Sequence, residues 1–314
     1  MSDKLFQVVK PGLMTTIQDL GRTGYQEYGV VVAGAMDDYA LQIANLLVGN
    51  SRGEAALEVT MMGPTLKVMK DAVIAITGGN LSPRVNGQPV AMWKSIAVKE
   101  GQLIEFGQPL EGIRAYISVA GGFGLPEVMG SKSTYLKAKI GGLNGRALEK
   151  EDVLYAGGDT QAVIGRSLHY DEIPKYKKEL TVRVILGPHQ DAFTEESIQT
   201  FLHSAYEITQ QSDRMGYRLK GPELTHKTTA DIISEAIPLG GIQVPANGQP
   251  IILMADRQTT GGYTRIATVI SVDLPLLAQA VPGTVIRFEE ISMNEAHEIN
   301  RRKEKLLGIL EKII

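Results

Sequence analysis

Apolar residues come in short runs along this chain, at residues 5–9, 72–77, 103–106, 116–119, 181–186, 251–254, 267–272 and 285–288. Gly, Pro or Asn bounds most of them, and these residues end strands and build turns, which predicts many short strands in a barrel or sandwich. Three segments break the pattern with helical spacing. Asp37 is a good N-cap for a helix carrying Leu41, Ile43, Ala44, Leu46 and Leu47, apolar on most sides and therefore buried, which Gly49 stops. A second helix follows Thr194, with Glu195 and Glu196 in its first turn and a stripe of Ile198, Phe201 and Leu202. A third opens with the capping-box pattern Ser292-Met-Asn-Glu295 and carries Ile299, Leu306, Leu310 and Ile313 on one side. Its Arg301, Arg302, Lys303 and Lys305 read as a solvated face.

Residues 169–179 are polar, contain Pro174 and lack apolar periodicity, which makes them the linker between two domains. The expected division is 1–168, 180–291 and a C-terminal helix at 292–314. Three short matches recur in the same order on either side of the linker. Gly63-Pro-Thr-Leu66 resembles Gly221-Pro-Glu-Leu224, Asn86-Gly-Gln-Pro-Val90 resembles Asn247-Gly-Gln-Pro-Ile251, and Gly101-Gln-Leu-Ile-Glu-Phe106 resembles Gly283-Thr-Val-Ile-Arg-Phe288. The first interval is 23 residues in one half and 26 in the other, but the second is 15 against 36. Asn-Gly turns recur by chance in β proteins; their order and spacing here favour a duplication. The enlarged interval holds Asp256 to Arg265, and loops on a rigid scaffold tolerate insertion and carry sites.

Composition narrows the chemistry. With 32 basic and 35 acidic residues among 314, the formal charge is −3, which argues against nucleic acid or an anionic membrane as the main partner. Cysteine is absent, removing disulfides, thiolate metal sites and a cysteine nucleophile together. No signal-like start and no apolar run of membrane-spanning length is read, so a soluble cytoplasmic protein is expected. The chain has no Gly-Lys dipeptide and hence no Walker A loop, and no Gly-x-Ser-x-Gly elbow. Its five histidines are scattered without metal-ligand spacing, so no metal site is expected.

What remains is three polar segments rich in small residues. The first contains Thr15, Thr16, Gln18, Asp19 and Arg22; the second is Ser212-Asp-Arg-Met-Gly-Tyr-Arg218; the third is Asp256-Arg-Gln-Thr-Thr-Gly-Gly-Tyr263. Threonine and glutamine can donate and accept towards an amide or carboxylate, Arg22, Arg214 or Arg257 can grip a carboxylate in two places, and Asp19, Asp213 or Asp256 can serve as acid or base if burial shifts them. Each also has a structural reading: Asp213-Arg214 as a buried pair fixing a turn, and Thr-Thr as strand or cap chemistry. A fourth segment, Gly121-Gly-Phe-Gly124 with Gly130-Ser-Lys-Ser-Thr134, reads as an anion-binding nest around Lys132 or as a flexible loop.

These residues together resemble one family. The stretches Pro11-Gly-Leu-Met-Thr-Thr-Ile-Gln-Asp-Leu-Gly-Arg-Thr-Gly-Tyr25, Gly34-Ala-Met-Asp37, Ala44-Asn-Leu-Leu-Val-Gly-Asn50, Asp213-Arg-Met-Gly-Tyr-Arg-Leu219, Gly241-Ile-Gln-Val-Pro245 and Gln258-Thr-Thr-Gly-Gly-Tyr263 follow its pattern. It is the biotin-dependent carboxyltransferase-like, allophanate hydrolase subunit 2-related family, and within it the group of 5-oxoprolinase C subunits, also described as antagonists of a sporulation antikinase. One departure is Glu151, before Asp152, where that pattern has glycine. The resemblance implies a mainly β protein of two tandem cyclophilin-like β-barrel domains with a few helices and a C-terminal helix. It implies a complex in which the A and B subunits of 5-oxoprolinase join such a chain to open 5-oxoproline to L-glutamate with ATP, the ATP belonging to the complex. On that basis Asp19, Asp256 and Gln258 are expected to be catalytic. Thr15, Thr16, Gln18, Arg22, Arg257, Thr259, Thr260 and Tyr263 are expected to bind the small-molecule substrate, in a half-site shared with the B subunit. Two alternatives stand beside this: a binding regulator that sequesters an antikinase resembling the B subunit, and a carboxyltransferase acting on a urea-like acceptor with carboxybiotin. For the latter, the nearest approach to a biotinylation segment, Ala91-Met-Trp-Lys94, lacks its second methionine.

Overall fold

A computed structural model describes residues 3–158 and 163–313. The chain divides into two compact units. The first comprises Met1–Thr23, Ala33–Tyr176 and Leu307–Ile314; the second comprises Gly24–Val32 and Lys177–Leu306. Seven of the eight apolar runs lie wholly or largely in strands, the run 267–272 lies half in one, and the fold is mainly β.

Unit 1 contains a six-stranded and a five-stranded sheet. The first has the order Val153–Tyr155, Lys4–Lys10, Thr65–Val68, Leu103–Glu105, Arg84–Val85, Gln88–Pro89; the second has the order Met14–Gln18, Ala56–Thr60, Glu111–Val119, Ala72–Asn80, Ser95–Val98. Phe6, Val8, Leu66 and Ile104 from the first pack with Ile17, Leu57, Ile74 and Ile117 from the second in one buried cluster. Helix α1, Asp38–Leu47, starts as its sequence dictates: the Asp37 carboxylate accepts from the Ala40 amide at 2.8 Å. Its Leu41, Ile43 and Leu47 are fully buried in a second cluster with Trp93, Tyr116 and Leu307. The segment read as a linker is fastened to unit 1 as far as Tyr176, whose hydroxyl donates to Asp37 at 3.3 Å and whose amide donates to Glu111 at 2.7 Å.

Unit 2 is a closed seven-stranded barrel in the order Glu179–Leu186, Arg265–Val269, Gly241–Gln243, Ile251–Leu253, Gly216–Lys220, Ala205–Ile208, Val285–Glu290, the last closing in parallel onto the first. Closure leaves no free sheet edge. Inward positions are Ile242, Ile252, Leu219 and Ile286, all buried. Helix α2, Glu195–His203, capped by Thr194, stacks Phe201 on Phe288 with ring centroids 4.4 Å apart. Part of the enlarged interval forms the strand Thr260–Tyr263, which pairs with Asp231–Ala236 in a separate two-stranded ribbon. The remaining α-helices among the described residues are α3, Leu274–Ala278, and α4, Met293–Ile313. The box at Ser292 is reciprocal: the Ser292 amide donates to the Glu295 carboxylate at 2.8 Å and the Glu295 amide to the Ser292 hydroxyl at 3.2 Å.

The first and third of the repeated motifs have glycines in like settings, whereas in the second Gly87 is open and Gly248 packs against Leu224. Gly63 lies so close to Phe106, and Gly221 to Tyr206, that a Cβ on either would sit 2.4 Å from the ring. Gly101 and Gly283, at φ +85° and +90°, both make the left-handed turn into the strand that follows.

Candidate functional site

The first polar segment is not a loop. Met14–Gln18 is a strand whose Thr15, Thr16 and Gln18 side chains are buried, which is why an apolar alternation is missing from it. Thr15 donates to the Pro11 carbonyl at 2.9 Å, and the Gln18 amide donates to the Thr16 hydroxyl and the Thr134 carbonyl, both at 3.1 Å. Asp19 follows, and its carboxylate is saturated: one oxygen accepts from the Gly21 amide at 2.8 Å and the Ser131 and Ser133 hydroxyls at 2.7 and 2.5 Å, and the other accepts from the Lys132 amide at 2.6 Å. The nest read at residues 130–134 is therefore filled by the protein's own carboxylate. The Lys132 ammonium is engaged too, by Glu54 at 2.6 Å. Arg22 is fully buried beneath this knot and donates to the Val128 and Ser133 carbonyls, both at 2.8 Å. Burial lowers its pKa, with Asp19 opposing. This geometry gives Asp19 and Arg22 the work of holding the loop 128–134 against the strand.

Asp256 has a comparable position in the barrel. Both of its oxygens accept from Arg214, at 3.0 Å from Nε and 2.9 Å from Nη2, with the two side chains 9% and 6% exposed. The Asp256 amide donates to the Arg214 carbonyl at 2.8 Å and the Met254 amide to the Met215 carbonyl at 3.0 Å, so the pair clamps the second polar segment to the third. This is the buried-pair reading. Arg257 is also buried, donates to the Ile237 carbonyl at 3.1 Å, and has its pKa lowered by desolvation.

The clamp frames a cleft of about 260 Å³ on the outer face of the barrel, slightly below the usual range for small-molecule pockets. Side chains alternate along a strand. With Ile242, Ile252, Tyr217 and Leu219 turned inward, Gln243, Ile251, Leu253, Gly216 and Arg218 line the outside. Ile251 pairs in register with both Gln243 and Arg218, so the three form one row across three neighbouring strands. Met215 and Ile237 add apolar surface, and Gln211, Asp213, Gln258 and Tyr263 add polar groups. Of the expected residues, Gln258 and Tyr263 line this cleft; Asp256 and Arg257 lie behind it, and Thr259 and Thr260 are not on its wall. Thr15, Thr16, Gln18, Asp19 and Arg22 belong to unit 1.

Several of the lining groups are available. Among the described residues, the side chains of Gln211, Arg218, Gln258 and Tyr263 have no hydrogen-bond or ion-pair partner. One Asp213 oxygen takes the Met215 amide at 2.7 Å, fixing the turn at the rim. Gln211, Arg218 and Gln243 were not anticipated as site residues. Gln243 carried a signal, being the one polar side chain in Ile242-Gln-Val-Pro245; Arg218 carried only its place in a shared motif. A cleft of about 290 Å³ in unit 1 differs in kind: its lysines are paired, Lys70 with Asp3 at 2.6 Å and Lys99 with Asp71 at 2.8 Å, and none of the expected residues lines it. Among the described residues no group of three or more His, Asp or Glu could hold a metal ion, and no helix is long and apolar enough to cross a membrane.

Comparison with known proteins places this architecture. The C subunit of 5-oxoprolinase from Escherichia coli (strain K12) is 39% identical over 292 residues, covering 93% of each chain. That of Haemophilus influenzae (strain Rd) is 38% identical over 299 residues and 95% of each. The crystal structure of urea carboxylase from Kluyveromyces lactis superposes with a TM-score of 0.93 at 31% identity, over 99% of this chain but 29% of that larger one. The family model for the carboxyltransferase domain, subdomain A and B, matches residues 28–290, a span that takes in the whole cleft and its Arg214–Asp256 clamp, and the chain belongs to that family.

Proposed function

We propose that this chain is the component of an ATP-dependent 5-oxoprolinase that holds 5-oxoproline in the barrel cleft, where its opening to L-glutamate is completed by the A and B subunits. The observation that carries the reading is the character of the cleft: a guanidinium, amides and a phenol without partners, and no histidine or serine on its wall. Such a set binds a small carboxylate-bearing amide and supplies no hydrolytic engine of its own. Arg218 takes the substrate carboxylate, Gln258 and Tyr263 the lactam carbonyl region, and Ile251 and Leu253 the ring methylenes. ATP contributes the phosphoryl group that makes the lactam carbon electrophilic; with no Gly-Lys dipeptide in this chain, the nucleotide is assigned to the partners. The names of the relatives at 38–39% identity support this reading.

The test is reconstitution with the A and B subunits, measuring ATP-dependent glutamate release. Gln258→Ala and Arg218→Ala are expected to lower it at least roughly tenfold, the loss of one hydrogen bond to a charged or polar substrate group. Wild-type turnover in both would sink the proposal. A second reading is favoured by the family match and the urea carboxylase likeness: carboxyl transfer from carboxybiotin to a urea-like acceptor in the same cleft. Carboxybiotin consumption that depends on urea and needs neither of those two partners would select it.

A further inference from the structure

We propose that Gln243 makes the cleft selective for a ligand carrying an N–H donor, so that it accepts a cyclic amide and rejects the matching cyclic ester; this rests on the reading of the cleft as the 5-oxoproline site. Gln243 is 7% exposed, yet it lies on the cleft wall. Its Nε2 faces the Tyr263 carbonyl at 3.5 Å, a long contact that favours this orientation of the amide. The other end, Oε1, accepts no hydrogen bond among the described residues. The atom stays open to the cleft, and a ligand that covers it without donating to it leaves it desolvated at a cost.

The surroundings hold the amide in place. A Cβ on Gly261 would sit 2.7 Å from Nε2 and 2.5 Å from the Ile237 side chain, so the glycine leaves the room in which Gln243 lies. Across the row, Ile251 separates Gln243 from Arg218, and two strand spacings put their backbones about 10 Å apart. Two side chains of that length can meet over Ile251. A lactam with its carboxylate on the carbon next to nitrogen offers adjacent partners for both: the carboxylate for Arg218 and the N–H for the Gln243 oxygen. The ester isostere, with ring oxygen in place of N–H, sets a lone pair against Oε1 and leaves that acceptor buried and unmet.

The experiment is calorimetric titration of the full chain with 5-oxo-L-proline and with its lactone isostere. Wild-type protein is expected to bind the lactam roughly tenfold to a hundredfold more tightly, the range for one acceptor that a ligand covers without donating to it. Gln243→Leu should bring the ratio close to one, chiefly by weakening the lactam, and Gln243→Glu, which keeps an acceptor at the same reach, should retain a preference for it. Equal wild-type affinities, or a ratio unchanged in Gln243→Leu, overturn the inference and leave the cleft as the binding site. Failure of the wild type to bind either compound overturns the cleft reading and this inference together.

Discussion

Removing the Asp256 carboxylate should loosen the barrel more than any other single change near the cleft. In Asp256→Ala, the Arg214 guanidinium loses its two hydrogen bonds to Asp256, at 3.0 and 2.9 Å, while remaining 6% exposed. Breaking one partner of a buried pair costs about 3–5 kcal/mol, because the charge left behind stays desolvated. Asp256→Asn keeps one acceptor and should cost less, about 2 kcal/mol, the worth of a hydrogen bond to a charged group. The effect is local, so it is best read where the clamp acts. The Met254 amide donates to Met215 across the two clamped segments, and its hydrogen exchange reports their opening. At about 1.4 kcal/mol per tenfold, exchange at Met254 should accelerate by about two to three orders of magnitude in the alanine variant. Arg214→Met with Asp256→Leu should recover most of it, since an apolar pair of similar volume replaces a buried ion pair at little cost. Acceleration of less than about threefold in Asp256→Ala, well below one hydrogen bond, would refute the clamp. Loss of glutamate release in Asp256→Asn with Met254 exchange unchanged would show instead that the carboxylate takes part in the chemistry.

Further outcomes follow from positions described above. Glu151 adopts φ +72°, a conformation that glycine adopts freely; Glu151→Gly relieves about 1–2 kcal/mol of strain, offset by about 0.5–1 kcal/mol of chain entropy. A small rise in the denaturant midpoint is therefore expected, and a fall would contradict the reasoning. Gly63→Ala and Gly221→Ala should each destabilise by about 1–3 kcal/mol through overpacking against Phe106 and Tyr206, whereas Gly130→Ala, with nothing within 4 Å, should show backbone strain alone. Arg146 donates to both oxygens of Asp152 and holds its carboxyl below the ordinary value near 3.8, so the folded form binds that proton less readily than the unfolded. The resulting stability is complete above the unfolded value and fades as pH falls through the lowered one. Asp152→Asn should therefore flatten the acid limb of the stability profile below about pH 5, and an unchanged limb would contradict this.

The eight apolar runs and the three capped helices were legible because hydrophobic spacing and end-capping act over a few residues. Strands such as Ala56–Thr60 were not, since a buried Glu58 breaks the apolar pattern and takes hydrogen bonds from distant groups, the Tyr116 hydroxyl at 2.7 Å and the Met36 amide at 2.8 Å. Helix α3 is a single short turn beginning with a proline inside it, too brief for periodicity to register. The assignment of Gly24–Val32 to unit 2 is topological and has no local signature. At the candidate site, the polar segments were visible as compositions, but composition does not say which carboxylate is spent. Asp19 is saturated by residues 112 to 114 positions away and Asp256 by one 42 away, and those long-range bonds turn two apparent acid–base groups into framework. Gln258, just before the ribbon strand Thr260–Tyr263, and Tyr263, at its end, line the cleft from a strand that is not part of the barrel sheet.

A crystal structure of the full chain with 5-oxo-L-proline tests the central claim most directly. The ligand is expected on the outer face of the barrel, its carboxylate on Arg218, its ring over Ile251 and its amide between Gln243 and Gln258. A ligand bound instead at the Asp19–Arg22 knot or in the lysine-lined cleft of unit 1, with the barrel cleft empty, would contradict it.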